Sequence, residues 1–469
     1  MSVQNMENLE IKLKELECHF TWDLRGEDAD LDFLEEKLKQ TMYASQVKSK
    51  ETVRALNYLA YVKHLQGFTD EAVKYLEKSE EEAKDNEAAF EKLVIVTYGN
   101  FAWVYYHMGE ISKVQMYLEE LDKIRKDFPT ASPSVLHREV HGEKGWSLLK
   151  FSPKHFEKAK ECFGEALKRE PNDEEWTKGY AFTLYYLEEA QRIPFQKSAA
   201  VTQLQKARIY NPKDAMIMVF LGSKYLHDNK TEDAKEYFDK AVEMSPYDPK
   251  IIRKVGKFLK KIGCVENALE VLNNALQKFP DSASLHYQTA LCYKLKVIKM
   301  KKEKADYGQL VKSCILHLET AVCLNPSYIY HHLELARMYA ESKDMQKAEN
   351  LFQELFTKPN IKPAQQQALH RYYGDFQYYH KKSESDAVEH YKKGQQIRNE
   401  SHEREKCFTS LKKIAKINIK NNPHDKRHLE ILGNIHILNA IESYEKALEV
   451  DPHEEDYNRV LTALRSILV

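Results

Sequence analysis

Apolar, small and polar positions follow one another along this chain in a pattern that returns after 34 residues, from Met218 to Ile252. The first copy holds Met218, Leu221, Gly222, Tyr225, Ala234, Phe238, Ala241 and Pro246. The second copy holds Ile252, Val255, Gly256, Leu259, Ala268, Leu272, Ala275 and Pro280. Spacings of three and four within each half are typical of amphipathic helices. The pattern therefore predicts pairs of helices joined by short turns.

The order of these positions is that of a tetratricopeptide repeat (TPR), in which small residues mark the closest approach of two paired helices. The same order recurs around Leu56, Tyr98, Trp146 and His332. Two stretched units lie between Tyr180 and Ala200 and between Tyr293 and Cys314. With eight or nine units in all, the sequence predicts an all-α TPR superhelix, an α-solenoid with one continuous core.

A few segments interrupt the helical periodicity, at residues 127–133, 192–197, 294–304 and 358–363. We expect three blocks: an N-terminal TPR subdomain at 1–130, a central TPR subdomain with a basic groove at 138–326, and a C-terminal TPR subdomain at 327–469. No stretch approaches the ~18 apolar residues of a membrane span, and the N-terminal residues lack an apolar leader segment. The seven cysteines are scattered without a CxxC pair, which favours a reducing, cytoplasmic location.

The total charge excludes few classes of function, because 71 Lys plus Arg nearly balance 72 Asp plus Glu. Attraction to nucleic acid must therefore come from local segregation of charge. Such a stripe is present on one predicted helix face, at Lys250, Arg253, Lys254, Lys257, Lys260 and Lys261. It is either a solvated lysine face or, since first helices line the concave surface of a TPR array, a track for phosphates. Lysines in the 294–304 segment either extend the track or belong to a loop.

Aromatic residues accompany the charge, and stacking platforms beside cations are typical of proteins that bind single-stranded RNA. Most aromatics of a TPR array belong to the core, whereas for Trp146 core packing and ligand contact are both open. No phosphate loop, HExxH or GxSxG motif is present, so we expect neither an enzyme nor a cofactor. Adjacent histidines on a helix point about 100° apart, so His331 and His332 are interpreted as structural rather than metal-binding.

Five segments resemble the interferon-induced proteins with tetratricopeptide repeats. They are CHFTW at 18–22, LAYVKHLQG at 59–67, YGNFAWVYYHMG at 98–109, EKGWSLLKF at 143–151 and LHYQTALCYK at 285–294. The resemblance extends over nearly the whole chain. It implies a superhelix around a positively charged groove or tunnel. Family members that bind RNA hold the 5′ end of foreign single strands, with a triphosphate or a cap lacking 2′-O-methylation, and sequester it from translation.

The resemblance also implies roles for individual residues. Lys150 and Gln288 match RNA-contacting positions, and Arg253 matches an arginine that contacts phosphate. Lys260 stands in place of another arginine and keeps its charge without its bidentate fork. Lys257 joins this set through the basic stripe.

Three further positions belong to the implied RNA end. Trp146 matches a tryptophan that stacks on a cap base, Glu175 matches an acidic position beside the cap, and Lys37 lies where the family has a tunnel-lining Thr or Arg.

Some positions depart from the family pattern. Tyr186 replaces an arginine that contacts the RNA terminus, and Tyr287 replaces a groove histidine. Lys250 and Lys254 replace two tyrosines beside the central arginine, so that positive charge is retained in sum. A cap-pocket tyrosine is Phe156 in this chain.

The C-terminal unit is shortened, since too few residues separate Gly433 from Ala440 for a normal turn. Tyr444 and Leu448 keep the YxxxL spacing through which family members pair, although ordinary TPR packing explains the same spacing. Two functions are thus expected. The first is an antiviral effector whose partners are RNA 5′ ends, with self-association or sister proteins through the C-terminal repeats and no membrane. The alternative is a protein scaffold with little selectivity for RNA ends.

Overall fold

The computed structural model describes residues 3–29, 31, 34–35, 37–39, 50–84, 90–129, 137–191, 193–359, 361–399, 401–451 and 454–467. Within these residues every regular element is helical and none is a strand, which confirms the all-α prediction. Consecutive helices pack against each other, as the TPR pattern requires. The chain divides into two compact units, Met1–Pro246 and Tyr247–Val469. The three subdomain boundaries expected from the sequence stay a prediction.

The first unit contains the helices α1 (Val3–Lys14), α2 (Lys50–Leu65), α3 (Thr69–Lys84), α4 (Phe90–Met108), α5 (Ile111–Asp127), α6 (Arg138–Phe151), α7 (Phe156–Arg169), α8 (Glu174–Gln191), α9 (Ala199–Tyr210), α10 (Ala215–His227) and α11 (Thr231–Met244). Short 3₁₀ turns lie at His19–Thr21, Gly26–Asp28, Pro153–His155 and Phe195–Lys197.

The second unit contains the helices α12 (Pro249–Lys261), α13 (Val265–Lys278), α14 (Ala283–Lys302), α15 (Gly308–Leu324), α16 (Ile329–Glu341), α17 (Met345–Thr357), α18 (Pro363–Phe376), α19 (Glu384–Gln396), α20 (His402–Asn421), α21 (Lys426–Val450) and α22 (Glu455–Ile467). A π-helical turn at Gln377–Lys381 follows α18.

The repeat positions carry the packing that the pattern predicts. In the α10–α11 pair, Leu221, Ala234 and Phe238 are fully buried. A methyl group added at Gly222 would lie only 2.7 Å from the Phe238 ring, so the small residue permits the close approach of the two helices. Within the α12–α13 pair, Gly256 and Leu272 have the same relationship at 3.2 Å.

A polar network lies inside the first unit and joins four helices through one side chain. The Asn57 Oδ1 atom accepts hydrogen bonds from the hydroxyls of Ser79 at 2.8 Å and Thr97 at 2.9 Å. Its Nδ2 group donates to the Glu143 carboxylate at 2.9 Å. All four residues are buried. Burial of polar groups is tolerated here because each one is hydrogen-bonded.

The observed helix bounds test two predictions about the second unit. The lysine-rich segment 294–304 was expected as a break, and this is wrong, because α14 continues to Lys302. Its apolar residues keep helical spacing, with Val297 buried. The shortened last unit lacks a turn, as its sequence indicated, and α21 runs through it as one helix of 25 residues. Among the described residues, no helix is long and apolar enough to cross a membrane.

Candidate nucleic-acid interface

The basic stripe lies on α12, whose two faces are chemically opposite. The Asp248 side chain caps the helix by accepting from the backbone N–H of Lys250 at 2.8 Å, and Pro249 occupies the first turn. One face is buried and apolar, with Ile251, Ile252, Val255, Phe258 and Leu259. The other face carries the cations, of which Lys250, Arg253, Lys254 and Lys260 are half-buried while Lys257 and Lys261 are exposed. Apolar packing thus holds six cations in one row.

Lys260 connects this row to α14. Its ammonium donates to the Gln288 side-chain oxygen at 2.7 Å, and among the described residues it has no carboxylate partner. Burial, together with the charges of Lys294 and Lys257, lowers the pKa of Lys260 to about 8, although Cys292 and Glu334 act in the opposite direction. An anion placed beside this ammonium would therefore be bound more strongly than at an ordinary surface lysine.

Tyr287, next to Gln288, packs against aromatic residues at the start of α16. Its ring centroid lies 4.7 Å from that of His331 and 6.2 Å from that of Tyr328. Burial raises the pKa of the Tyr287 phenol, and the negative charge of Glu334 adds to the effect. The phenol is therefore neutral at physiological pH, and this position supplies a ring and a hydroxyl rather than a charge.

A carboxylate missed by the sequence reasoning lies behind this surface. Glu334 is buried and accepts hydrogen bonds from Lys294 and from the Tyr372 hydroxyl, each at 2.7 Å. Burial alone would raise the pKa of Glu334, but the charges of Lys294 and Arg337 hold it below its ordinary value. Since Lys294 is neutralised in this way, it extends the positive track less than the sequence indicated.

Other lysines of the same segment also have acidic partners. Lys296 lies 2.9 Å from a Glu266 oxygen, and Lys301 lies 2.5 Å from a Glu341 oxygen. By contrast, the described residues provide no carboxylate partner for Lys257 or Lys261. Lys257 and Lys261 of α12 thus carry positive charge that no described carboxylate offsets.

In the first unit, Trp146 and Lys150 lie one turn apart on α6. The Lys150 ammonium is 5.6 Å from the Trp146 ring centroid, a cation–π distance. The edges of Phe163 and Phe182 meet the indole at centroid distances of 5.3 and 6.3 Å. The indole is half-buried, and its Nε1–H has no hydrogen-bond partner among the described residues. Trp146 therefore packs against two rings and keeps a donor without a partner among the described residues.

Glu175, the acidic residue at the start of α8, is held by Arg54 of α2. The guanidinium donates to the carboxylate at 2.9 Å. Burial lowers the pKa of Arg54, and the charge of Glu143 opposes this shift. The partners are 121 positions apart in the sequence, so no local pattern indicates the pair. Glu143 itself has its pKa raised to about 7 by burial.

Tyr186 packs over Phe156 rather than extending freely. The two rings stack with centroids 5.5 Å apart, so the two departures from the family pattern occupy one aromatic patch. Farther along α8, the buried Glu188 accepts from Lys224 at 2.6 Å and from the backbone N–H of Ala200 at 2.8 Å. A buried ion pair thus fixes this end of α8.

The remaining predicted positions are more peripheral. Lys37 is exposed. Tyr444 and Leu448 are half-buried on α21, and the Tyr444 ring is 5.8 Å from that of Tyr457 on α22. The ring nitrogen Nδ1 of His331 lies 3.1 Å from the Ala321 carbonyl oxygen, a structural role that agrees with the interpretation of this histidine. Within the described residues no group of three or more His, Cys, Asp or Glu side chains is placed to hold a metal ion.

Comparison with known proteins gives three informative matches. A tetratricopeptide-repeat family model matches residues 196–249. The human protein named antiviral innate immune response effector IFIT1 is 35% identical over 459 residues, which cover 93% of this chain and 95% of that protein. Human interferon-induced protein with tetratricopeptide repeats 2 is 34% identical, and the match covers 96% of this chain and 97% of that protein.

Solved structures agree. A human IFIT1 dimer with m7Gppp-AAAA has a TM-score of 0.69 and 33% identity, covering 94% of this chain and 99% of that chain. The human IFIT1 dimer with PPP-AAAA has a TM-score of 0.68 at the same identity and coverage.

Proposed function

Because the chain belongs to the interferon-induced proteins with tetratricopeptide repeats, an antiviral family with RNA-bound members and not an enzyme family, we propose that it holds the 5′ end of foreign single-stranded RNA and sequesters it from translation. The end carries a triphosphate or a cap without 2′-O-methylation. Its cysteines are all free, which agrees with action in the cytoplasm.

The observation that carries the proposal is the positive charge of Lys257 and Lys261 on α12, for which the described residues provide no carboxylate partner. Lys257 and Lys261 form a like-charge pair four residues apart, a spacing that destabilises a helix by about 0.2–0.5 kcal/mol. Lys260 is partly desolvated, as the lowered pKa of its ammonium indicates. These unfavourable terms would be offset by a phosphate chain, which accepts charge-assisted hydrogen bonds from each ammonium. Arg253 lies within the same row and is proposed as the central phosphate contact.

Trp146 supports recognition of a cap. Its indole is half-buried, and an aromatic ring that is accessible in part can stack on a base. Lys150 beside the ring offers a cation to the adjoining phosphates. We therefore assign Trp146 to the cap base, Lys150 to the phosphates, and Glu175 to the cap side, with Lys37 at the rim.

The test is a binding assay with four short RNAs of one sequence that differ only at the 5′ end: triphosphate, cap, 2′-O-methylated cap and hydroxyl. We expect the first two to bind more tightly than the last two. The Arg253→Glu variant should lose this preference. Lys312→Ala, which removes an exposed lysine from the second helix of a pair, is the matched control and should bind like the parent chain.

A second candidate function is a protein-binding scaffold. The observation in its favour is that Tyr186 and Tyr287, at positions of an arginine and a histidine in the family, are both engaged in ring contacts within this chain. Equal binding of the triphosphate and hydroxyl RNAs would support the scaffold and contradict the RNA-end proposal.

A further inference from the structure

Two histidines of paired helices meet in the second unit, between α14 and α15. The Nδ1 atoms of His286 and His317 are 2.8 Å apart, and their ring centroids are 5.1 Å apart. Both side chains are half-buried, so the pair lies at the edge of the protein rather than in its core. At this separation one Nδ1–H group donates to the lone pair of the other Nδ1 atom. The pair therefore holds one proton between two nitrogen atoms of a type that commonly binds metal ions.

A backbone carbonyl determines which nitrogen of His286 presents its lone pair. The Nε2 atom of this ring lies 2.8 Å from the carbonyl oxygen of Pro280. A carbonyl oxygen only accepts hydrogen bonds, so in the neutral imidazole the proton is on Nε2 and Nδ1 is unprotonated. Metal-binding histidines are oriented in this manner, by a hydrogen bond from the other ring nitrogen. The backbone thus holds His286 in the tautomer that a metal ion requires at Nδ1.

His317 is also in the neutral form that binds metal ions. Burial, together with the charge of His286, lowers the pKa of His317 to about 4. The ring of Tyr293 stacks on this imidazole with centroids 5.7 Å apart, which restricts its orientation. Because only unprotonated imidazole nitrogens bind a metal ion, both rings can act as ligands at neutral pH without first losing a positive charge.

The separation of the two nitrogens is close to that of a metal chelate. Two nitrogens bound at about 2.0 Å to one ion are about 2.9 Å apart at a right angle and about 3.3 Å apart at the tetrahedral angle. The observed 2.8 Å therefore requires a shift of about half an ångström or less. Rotation of the rings about their Cβ–Cγ bonds turns both lone pairs toward one ion. The proton between the two nitrogens then moves to Nε2 of His317.

The same pair of histidines recurs in another repeat of this unit. The Nδ1 atoms of His370 on α18 and His390 on α19 are 3.1 Å apart, and the ring centroids are 5.3 Å apart. In both repeats the first histidine comes four residues before the small residue of the first helix, and the second comes one residue before the large apolar residue of the second helix. These reference residues are Ala290 and Leu318 in one repeat and Gly374 and Tyr391 in the other.

Other repeats fill these two positions differently. Met218 and Tyr237 occupy them in the α10–α11 pair, and Ile252 and Val271 occupy them in the α12–α13 pair. Apolar contact is therefore sufficient for the packing of a helix pair at this point. Histidine at both positions brings in two nitrogen ligands that the packing does not need.

The surroundings make the His286–His317 pair the better metal site of the two. Burial lowers the pKa of both His370 and His390, and the charge of Lys393 adds to the shift. An ammonium near the pair repels a cation, although its ion pair with Glu389 at 2.6 Å reduces this effect. Among the described residues, no backbone carbonyl accepts from the ring of His370 or His390. This second pair is therefore a natural control for the first.

We propose that His286 and His317 form a binding site for one divalent transition-metal ion of the Zn²⁺ or Ni²⁺ type, with water at its remaining coordination positions. Imidazole nitrogen suits these ions, whereas Mg²⁺ and Ca²⁺ prefer oxygen ligands. Because the ligands come from the two helices of one repeat, a bound ion ties α14 to α15 and stabilises the folded chain. The proposal is independent of the RNA proposal, since neither histidine belongs to the RNA-contacting set.

The experiment is a calorimetric titration of the full chain with Zn²⁺, Ni²⁺ and Mg²⁺. All variants carry Cys323→Ser, which removes an exposed thiol that could bind the same ions. We expect one equivalent of Zn²⁺ or Ni²⁺ to bind more tightly than any further ions, and Mg²⁺ to give no such site. His286→Gln and His317→Gln should each weaken this site by more than about tenfold. The matched variant His370→Gln should keep it, and circular dichroism checks that each variant folds.

Two further measurements separate a metal site from a pair that is only hydrogen-bonded. Zn²⁺ should raise the midpoint of thermal unfolding of the parent chain and of His370→Gln but not of His286→Gln. With one equivalent of Cu²⁺, electron spin echo spectra should show two imidazole ligands in the parent chain and in His370→Gln, and fewer in His317→Gln. A parent chain that binds neither Zn²⁺ nor Ni²⁺, or a His286→Gln variant that binds them as tightly as the parent, overturns the proposal.

Discussion

Lys260 of α12 donates a hydrogen bond of 2.7 Å to the side-chain oxygen of Gln288 on α14, so a half-buried ammonium and a neutral amide join two neighbouring first helices. Burial lowers the pKa of Lys260 to about 8, so this ammonium begins to lose its proton just above physiological pH. The charge of the proposed phosphate track is therefore adjustable by pH.

RNA affinity should fall as pH rises from 7 to 9. A lysine with a lowered pKa is charged below that value and loses its charge above it, so at pH 9 only about one tenth of Lys260 would carry a proton. The expected loss of affinity for triphosphate RNA is roughly tenfold. In Lys260→Arg the guanidinium stays charged, and the profile should be flat. Fluorescence anisotropy at several pH values measures the effect, and a flat profile in the parent chain would contradict it.

The salt dependence of RNA affinity should show directly whether Lys257 neutralises a phosphate. For a single strand the logarithm of affinity falls by about 0.7 per decade of salt for each phosphate neutralised. Lys257→Ala should therefore make the slope shallower by about 0.7. The matched substitution Lys312→Ala should keep the parent slope. If both variants keep it, Lys257 is a solvated lysine without a role in binding.

Trp146→Ala should weaken capped RNA more than triphosphate RNA. Stacking of a base on an aromatic ring contributes about 1–3 kcal/mol, which corresponds to roughly 5- to 150-fold in affinity. Trp146→Phe keeps a ring and the contacts with Phe163 and Phe182, so it serves as the control and should retain most of the binding. An equal loss for both RNAs would assign Trp146 to packing alone.

The buried pair of Glu188 and Lys224 should govern the stability of the first unit. Glu188→Gln leaves the Lys224 ammonium unpaired at 2% exposure, and breaking a buried pair costs about 3–5 kcal/mol. Thermal unfolding measures the loss, and replacing both partners, as in Glu188→Leu with Lys224→Met, should restore much of it. A single variant as stable as the parent would mean that the lysine finds water or another partner.

The Glu188–Lys224 pair should also make the stability of the protein decrease as pH falls. Burial alone would raise the pKa of Glu188, but hydrogen bonds from Lys224, Ser198 and the Ala200 N–H hold it below its ordinary value. Its stabilisation is therefore present above the ordinary carboxyl range and is lost as pH falls through the lowered pKa. In Glu188→Gln this acid-dependent loss should be absent.

The spacing of apolar, small and charged residues was sufficient to predict the helix pairs and the division of α12 into an apolar and a basic face. Residues such as Ile252, Val255 and Gly256 are set by contacts with the next helix of the same repeat, so their spacing determines both the helix and its buried face. The missing turn before Ala440 could also be predicted, because the sequence shows how few residues separate Gly433 from Ala440.

Contacts between distant repeats were beyond the reach of the pattern. Arg54 and Glu175 are neighbours in the fold although 121 positions separate them in the sequence. The segment after Lys294 was misjudged because its lysines resemble a solvated loop, although Val297 keeps the helical spacing. Lys294 itself has a partner, Glu334, whose own sequence neighbourhood is apolar and gives no sign of a buried charge.

The Asn57 network also limits how the array can change. Solenoid repeats are often exchangeable modules, because each one recognises its neighbours through interchangeable apolar faces. Removing α3 or α4 here would strand the amide of Asn57 and the carboxylate of Glu143 without the hydroxyls that complete their network. These four helices must be inherited, grafted or deleted as one block, and attempts to shorten the protein by a single repeat should begin elsewhere in the chain.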